Sequence, residues 1–143
     1  MLTARLSVFL AALWWGSLTA VGFMVVPMLF VHLETPAMAG QMAAKLFTAQ
    51  TWLSLGCCFL LCLTTRRETS NAAPSPLIWV VGGMALALMM EVGVKPHILA
   101  RDNMALWHNL GSAFYVGQWL CAGKALWQLW PVPGLAAGTE GND

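Results

Sequence analysis

The sequence predicts an all-α integral membrane protein, a bundle of four transmembrane helices, and three observations carry that prediction. From Leu6 to Leu33 no Asp, Glu, Lys or Arg interrupts the chain, a run of about 40 Å at helical rise and longer than the hydrocarbon core of a bilayer. A helix in water keeps a polar face, so a run apolar on every side for that length points to lipid as its solvent. Apolar stretches then recur from Leu46 to Leu63, Leu77 to Val94 and Leu110 to Trp130, each close to the roughly 20 residues that a crossing needs. Composition agrees: 59% of the 143 residues are hydrophobic, 9% are charged, and the net charge is +1.

In the first span, Arg5 and the apolar residues after it have the form of a secretory signal, with Ser17 to Ala20 as a weak cleavage site. The run continues to Leu33, however, as a signal anchor or first spanning helix does. Ala12, Gly16 and Ala20 recur every four positions and predict a face for close helix packing. Pro27 removes an amide donor and releases the carbonyl of Phe23, with Gly22 nearby, so a kink is expected in the outer half, either a hinge or a fixed bend.

Thr35 and Pro36 form an N-cap and first-turn pair, which predicts one long second helix from about Pro36, its first turns at the interface and Gly40 its weak point. Thr64 to Pro76 is polar, holds two prolines and reads as a loop. In the third span Gly83 and Ala87 continue the small-residue pattern, and the next position on that stripe is Glu91. The fourth span repeats it at Ala113, Gly117, Cys121 and Ala125. The Pro- and Gly-rich residues 131–143 are expected to form a disordered cytoplasmic tail, leaving 1–130 as the transmembrane domain.

Orientation follows from the basic residues flanking the spans. Arg5, Arg66, Arg67 and Lys124 fall on one side, and Lys45, Lys95 and Arg101 on the other. Both termini are therefore placed in the cytoplasm, with Trp127 and Trp130 at that interface. The partner so implied is the lipid bilayer, joined by a second copy or another membrane protein where the small-residue faces meet one. Nucleic acid is excluded as a partner, because the largest basic cluster is the Arg66 and Arg67 pair. The four cysteines, at 57, 58, 62 and 121, lie in apolar runs without CxxC spacing and read as small buried hydrophobes.

In this topology the polar side chains gather at the outer end. His32 and Glu34 close the first span, Glu91, Lys95 and His97 the third, and Arg101, Asp102, Asn103, His108 and Ser112 lead into the fourth. Glu91 stands out, since it lies within an apolar segment and has Lys95 one turn later in the favourable order. Ion pairing and proton binding are the two outcomes to separate, because an unpaired carboxylate in low dielectric takes a proton. Met24, Met28 and His32 share one helical face, and Met104 and His108 repeat the spacing, a donor set that suits copper. Three His residues near one end allow haem ligation, although no CxxCH is present. No nucleophile triad, phosphate loop or HExxH occurs, so neither enzymatic activity nor a resident cofactor is expected, with copper or haem as the alternative.

Two stretches resemble a known family. From Trp14 to Trp52 the order of Gly16, Pro27 with Leu29 and Phe30, Ala39 with Gly40, and Leu46 with Phe47 is similar to bacterial proteins of domain of unknown function 4149, themselves similar to eukaryotic transmembrane protein 205. From Val94 to Tyr115, Pro96, Arg101, His108 and Ser112 resemble that family's second signature. The resemblance implies a small multi-pass protein of the bacterial inner membrane and brings no established activity. The functional expectation is handling of a small solute, proton or ion by the outer polar cluster. A structural helix-packing partner, or a metal- or haem-binding protein, is the alternative.

Overall fold

The computed structural model describes residues 2–65, 75–100 and 103–130, and every element among them is helical. Most of the expected Thr64 to Pro76 loop, the 131–143 tail and Arg101 lie outside the described residues.

The first helix runs as α1 (Leu2–Ala20), a π-turn (Val21–Val25) and α2 (Val26–His32). The distortion sits immediately before Pro27. A proline ring collides with the carbonyl four residues back and offers no amide, and the chain accommodates this by widening one turn, so that Val26 donates five residues back to Val21. The second helix, α3 (Pro36–Thr64), is the single long rod expected; Thr35 caps it by accepting from the Met38 amide at 3.3 Å, and Pro36 opens its first turn.

The third helix starts from Ser75, whose hydroxyl accepts from the Leu77 amide, and runs as α4 (Pro76–Leu88), a second π-turn (Met89–Val94) and α5 (Lys95–Leu99). It extends past the expected end at Val94 because Pro96 is absorbed as Pro27 is: Lys95, the residue before it, donates five back to Met90. The fourth helix, α6 (Met104–Leu129), begins a turn and a half before the expected Leu110. Asn103, at φ 35°, takes the left-handed conformation that asparagine tolerates and turns the chain into it.

Three helices, Leu2–His32, Pro36–Thr64 and Pro76–Ile98, are long and apolar enough to cross a membrane. The fourth is long enough, but His108, Asn109, Gln118, Lys124 and Gln128 dilute it, and it does not join those three.

α1 packs on α3 and α6, and α4 packs on the same two, so the helices close into a four-membered ring. At its centre Trp14 is 0% exposed, packed with Leu10, Leu18, Cys58, Leu61, Val80 and Ala122. The four cysteines carry no disulfide, and Cys57 and Cys58 are buried. The buried face of α1 is thus Ser7, Leu10, Ala11, Trp14 and Leu18. Ala12, Gly16 and Ala20 lie on the exposed face, and a Cβ built on Gly16 meets nothing. On α6, Ala113 is likewise exposed, and the buried positions are Gly111, Gln118, Ala122 and Ala125, with Gly117 against Leu86. Trp14 takes the inward face of α1 because Gly83 opposite makes room: a Cβ there would lie 2.5 Å from the Trp14 ring. Ala87, one turn on, is buried as well.

Gly83→Ala is therefore expected to cost about 1–3 kcal/mol by overpacking, read as a lower unfolding temperature in detergent. Trp14→Phe in the same chain shortens the ring and recovers part of that loss; a double variant whose cost equals the sum of the singles contradicts this seating.

Candidate functional site

The two π-turns face each other in the same half of the bundle, and a cavity of about 780 Å³ lies between them. Gly22, Phe23 and Val26 wall it on the first helix, and Met90, Glu91 and Lys95 on the third. The second and fourth helices contribute small residues where a packed core would place large ones: Gly40, Ala43 and Ala44 on α3, and Ala105 and Ser112 on α6. Helices separated by a normal distance but facing one another with such side chains leave the space between them unfilled.

Tyr115 separates this cavity from the packed half. Its ring lines the cavity and also packs on the core. It meets Phe47 edge-on at 5.2 Å between centroids, and its hydroxyl donates to the Leu18 carbonyl at 2.8 Å, just ahead of the first π-turn. Gly22 admits that ring, since a Cβ there would stand 2.4 Å from it. Below, Trp119 donates to Thr19 at 2.9 Å and meets Phe23 edge-on, which fixes the fourth helix to the first.

The walls are mostly apolar, and the polar groups are concentrated at one place. Glu91 and Lys95 form an ion pair, and Lys95 Nζ also donates to Thr48 Oγ1 on α3 at 2.8 Å. The Thr48 hydroxyl in turn donates a hydrogen bond to the Ala44 carbonyl at 3.0 Å. Both charged side chains are partly buried, at 24% exposure for Glu91 and 33% for Lys95, so the pair is screened less than a surface pair. The network ties the third helix to the second at the cavity wall.

Of the residues singled out from the sequence, the structure brings together Glu91, Lys95, His108 and Ser112 around one cavity, with Met104 beside them. Ser112 turns its hydroxyl back to the His108 carbonyl at 2.9 Å. His32 and Glu34 are exposed and do not line it; His32 Nδ1 lies 3.0 Å from the Met28 carbonyl. Met24 and Met28 point outward as well. Among the described residues no three of His, Cys, Asp or Glu stand together as a metal-holding group. His97 stacks on Trp107 at 3.9 Å, clamping α5 to the start of α6.

Sequence reasoning missed Thr48 and Tyr115. A signal for Thr48 was present: once Pro36–Thr64 is one helix, Gly40, Ala43, Ala44, Phe47, Thr48 and Thr51 fall on a single face at helical spacing, a stripe of small and hydroxyl residues. Tyr115 carried no signal beyond being the one tyrosine in the chain.

The family model of the domain of unknown function DUF4149 matches residues 9–105. The chain belongs to the DUF4149 family. No curated protein and no solved structure matches it. The matched residues carry three of the four cavity walls, both π-turns and the Glu91–Lys95–Thr48 network, whereas His108, Gly111, Ser112 and Tyr115 of this DUF4149 chain lie beyond the match. Membership together with three span-like helices fits a membrane protein of uncharacterised role.

Because Glu91 and Lys95 pair on one wall of the cavity, they act as a unit. Glu91→Gln leaves Lys95 with Thr48 alone and is expected to destabilise more than Glu91→Gln combined with Lys95→Met, with a coupling on the order of 1–3 kcal/mol in a double-mutant cycle. Additive losses in thermal unfolding contradict that arrangement.

Proposed function

We propose that this DUF4149 chain is a four-span protein of the bacterial inner membrane, with both termini cytoplasmic, that binds and handles a small solute in the cavity of its outer half. The observation that supports this most is the cavity itself. Its volume, about 780 Å³, lies within the range of pockets that enclose small-molecule ligands, and it pairs apolar walls with a few convergent polar groups, the usual constitution of such sites.

Solute binding is favoured over ion or proton handling by the state of Glu91. A bare ion entering apolar walls loses its hydration, and compensating that loss calls for an available opposite charge. The carboxylate in the cavity wall is already paired with Lys95. The pair accordingly serves to brace the second and third helices and to offer hydrogen bonds to a ligand's polar end.

A second reading, association with another copy, is favoured by the exposed face of Ala12, Gly16 and Ala20, at which a Cβ on Gly16 finds open space. Small residues there allow a second helix to approach closely. Gly16→Leu should then abolish energy transfer between differently labelled copies in liposomes. Unchanged transfer removes this reading without touching the first.

The cavity reading is tested with N-phenyl-1-naphthylamine, an uncharged fluorescent probe, titrated into the protein in nanodiscs. Ala43→Leu fills the cavity from α3 and is expected to weaken saturable binding by about tenfold or more. Gly56→Leu, on an exposed position of the same helix with nothing near its Cβ, should leave it unchanged. Equal binding in both variants contradicts the proposal.

A further inference from the structure

We infer that the ligand is an uncharged amphiphile, an apolar chain ending in a hydroxyl or carbonyl oxygen, which enters sideways from the lipid between α2 and the start of α6. This rests on the cavity being a binding site and adds the ligand's class and its route.

The route follows from how the first helix leaves the fourth. α1 packs extensively on α6, but beyond the π-turn α2 packs on α3 and has no comparable contact with α6. The residues left on either side of that gap line the cavity and also face outward: Phe23 and Phe30 are each 53% exposed, Met104 48% and Val116 44%. An entrance for a water-borne solute would be rimmed with polar groups. Here the exposed His108 and Ser112, which line the cavity between Met104 and Val116, are the polar members of a rim that is otherwise aromatic and aliphatic, and Ser112 turns its hydroxyl back to its own helix. A lipid-dissolved molecule crosses such a mostly apolar surface with little desolvation.

The head follows from charge. Lys95 and Glu91 cancel, so a carboxylate or phosphate entering must compete with Glu91 for the lysine, and an ammonium must compete with Lys95. Either ligand leaves a third, unmatched charge among apolar walls. An uncharged oxygen meets no such penalty. An ammonium has three donors, and among the described residues Lys95 Nζ gives two of them, to Glu91 and to Thr48. The third is available to a hydroxyl or carbonyl without disturbing the pair.

Both a glyceride lipid and a free long-chain or isoprenoid alcohol carry such a head. The test uses diazirine-alkyne photoprobes of one chain length with four heads, namely alcohol, monoacylglycerol, carboxylate and quaternary ammonium, added to the full chain in nanodiscs and mapped by mass spectrometry. The alcohol or the monoacylglycerol probe, whichever is the source, is expected to label residues 22–30 and 104–116 at least about fivefold above the charged probes, and to lose that labelling in Ala43→Leu. Labelling of those residues by the carboxylate or ammonium probe at an equal level overturns the uncharged head while leaving the cavity as a binding site. No labelling of those residues by any probe, with the naphthylamine still bound, overturns the amphiphile and its lateral route alone. Loss of both signals overturns this inference together with the reading beneath it.

Discussion

A proline in a helix has no amide to give, and the two prolines at positions 27 and 96 impose that constraint at the same level of the bundle. In helices this apolar, backbone groups must find partners within the protein. Both helices answer in the same way, with the residue before the proline donating five positions back and one wide turn taking up the mismatch. Everything distinctive about the proline half follows from those turns. They re-aim α2 away from α6, they place Glu91 and Lys95 on a cavity wall, and they open the space between small residues of the other two helices.

The two halves of the bundle are consequently built on different terms. In the half without π-turns a buried tryptophan fills the axis, and hydroxyl and amide side chains tie the first two helices together: Ser7 donates to Thr64 at 3.0 Å, and Gln50, which also donates to Ser54 of its own helix at 3.3 Å, donates to Ser17 at 2.9 Å. Such ties matter where apolar surfaces alone gain little by leaving lipid for protein. In the proline half, the corresponding tie is the Lys95–Thr48 bond, which joins the third helix to the second at the edge of the cavity. Tyr115 marks the border, anchored to the Leu18 carbonyl on one side and facing the cavity on the other. A cavity held by one polar strut and one aromatic wall can admit a guest without unpacking the core.

How much of this the sequence disclosed depends on which physical signal each feature leaves. Long apolar runs gave the helices, and the Thr35–Pro36 cap gave the start of the second to the residue. The i, i+4 spacing gave the Glu91–Lys95 pair. Helix faces were harder to read, because a helix apolar all round has no hydrophobic stripe to show which side is inward. The small-residue rule marked Ala12, Gly16 and Ala20 as a face for close helix packing without saying against which helix, and the inward face of α1 goes to Trp14 and Leu18, since the small residue that admits Trp14, Gly83, is on another helix. The third span was read as ending at Val94, so Pro96 beyond it gave no sign of the π-turn that precedes it. Thr48 showed only as one member of the small-residue face of α3 and not as a polar group in its own right, because a helical threonine satisfies itself on its own backbone, as this one also does. Of the polar cluster, the part on the third and fourth helices converges, while His32 and Glu34 sit past the re-aimed segment and face away.

The central claim is that the Pro27 π-turn holds α2 apart from α6 and so keeps the cavity open. Double electron–electron resonance measures this directly, with spin labels on Val31→Cys and Leu106→Cys, both exposed positions, in a chain whose native cysteines are replaced by alanine. Pro27→Ala restores the amide and allows a regular α-helix to continue toward α6. The distance distribution is then expected to move to shorter values and to narrow. A distribution left unchanged by Pro27→Ala would contradict that claim.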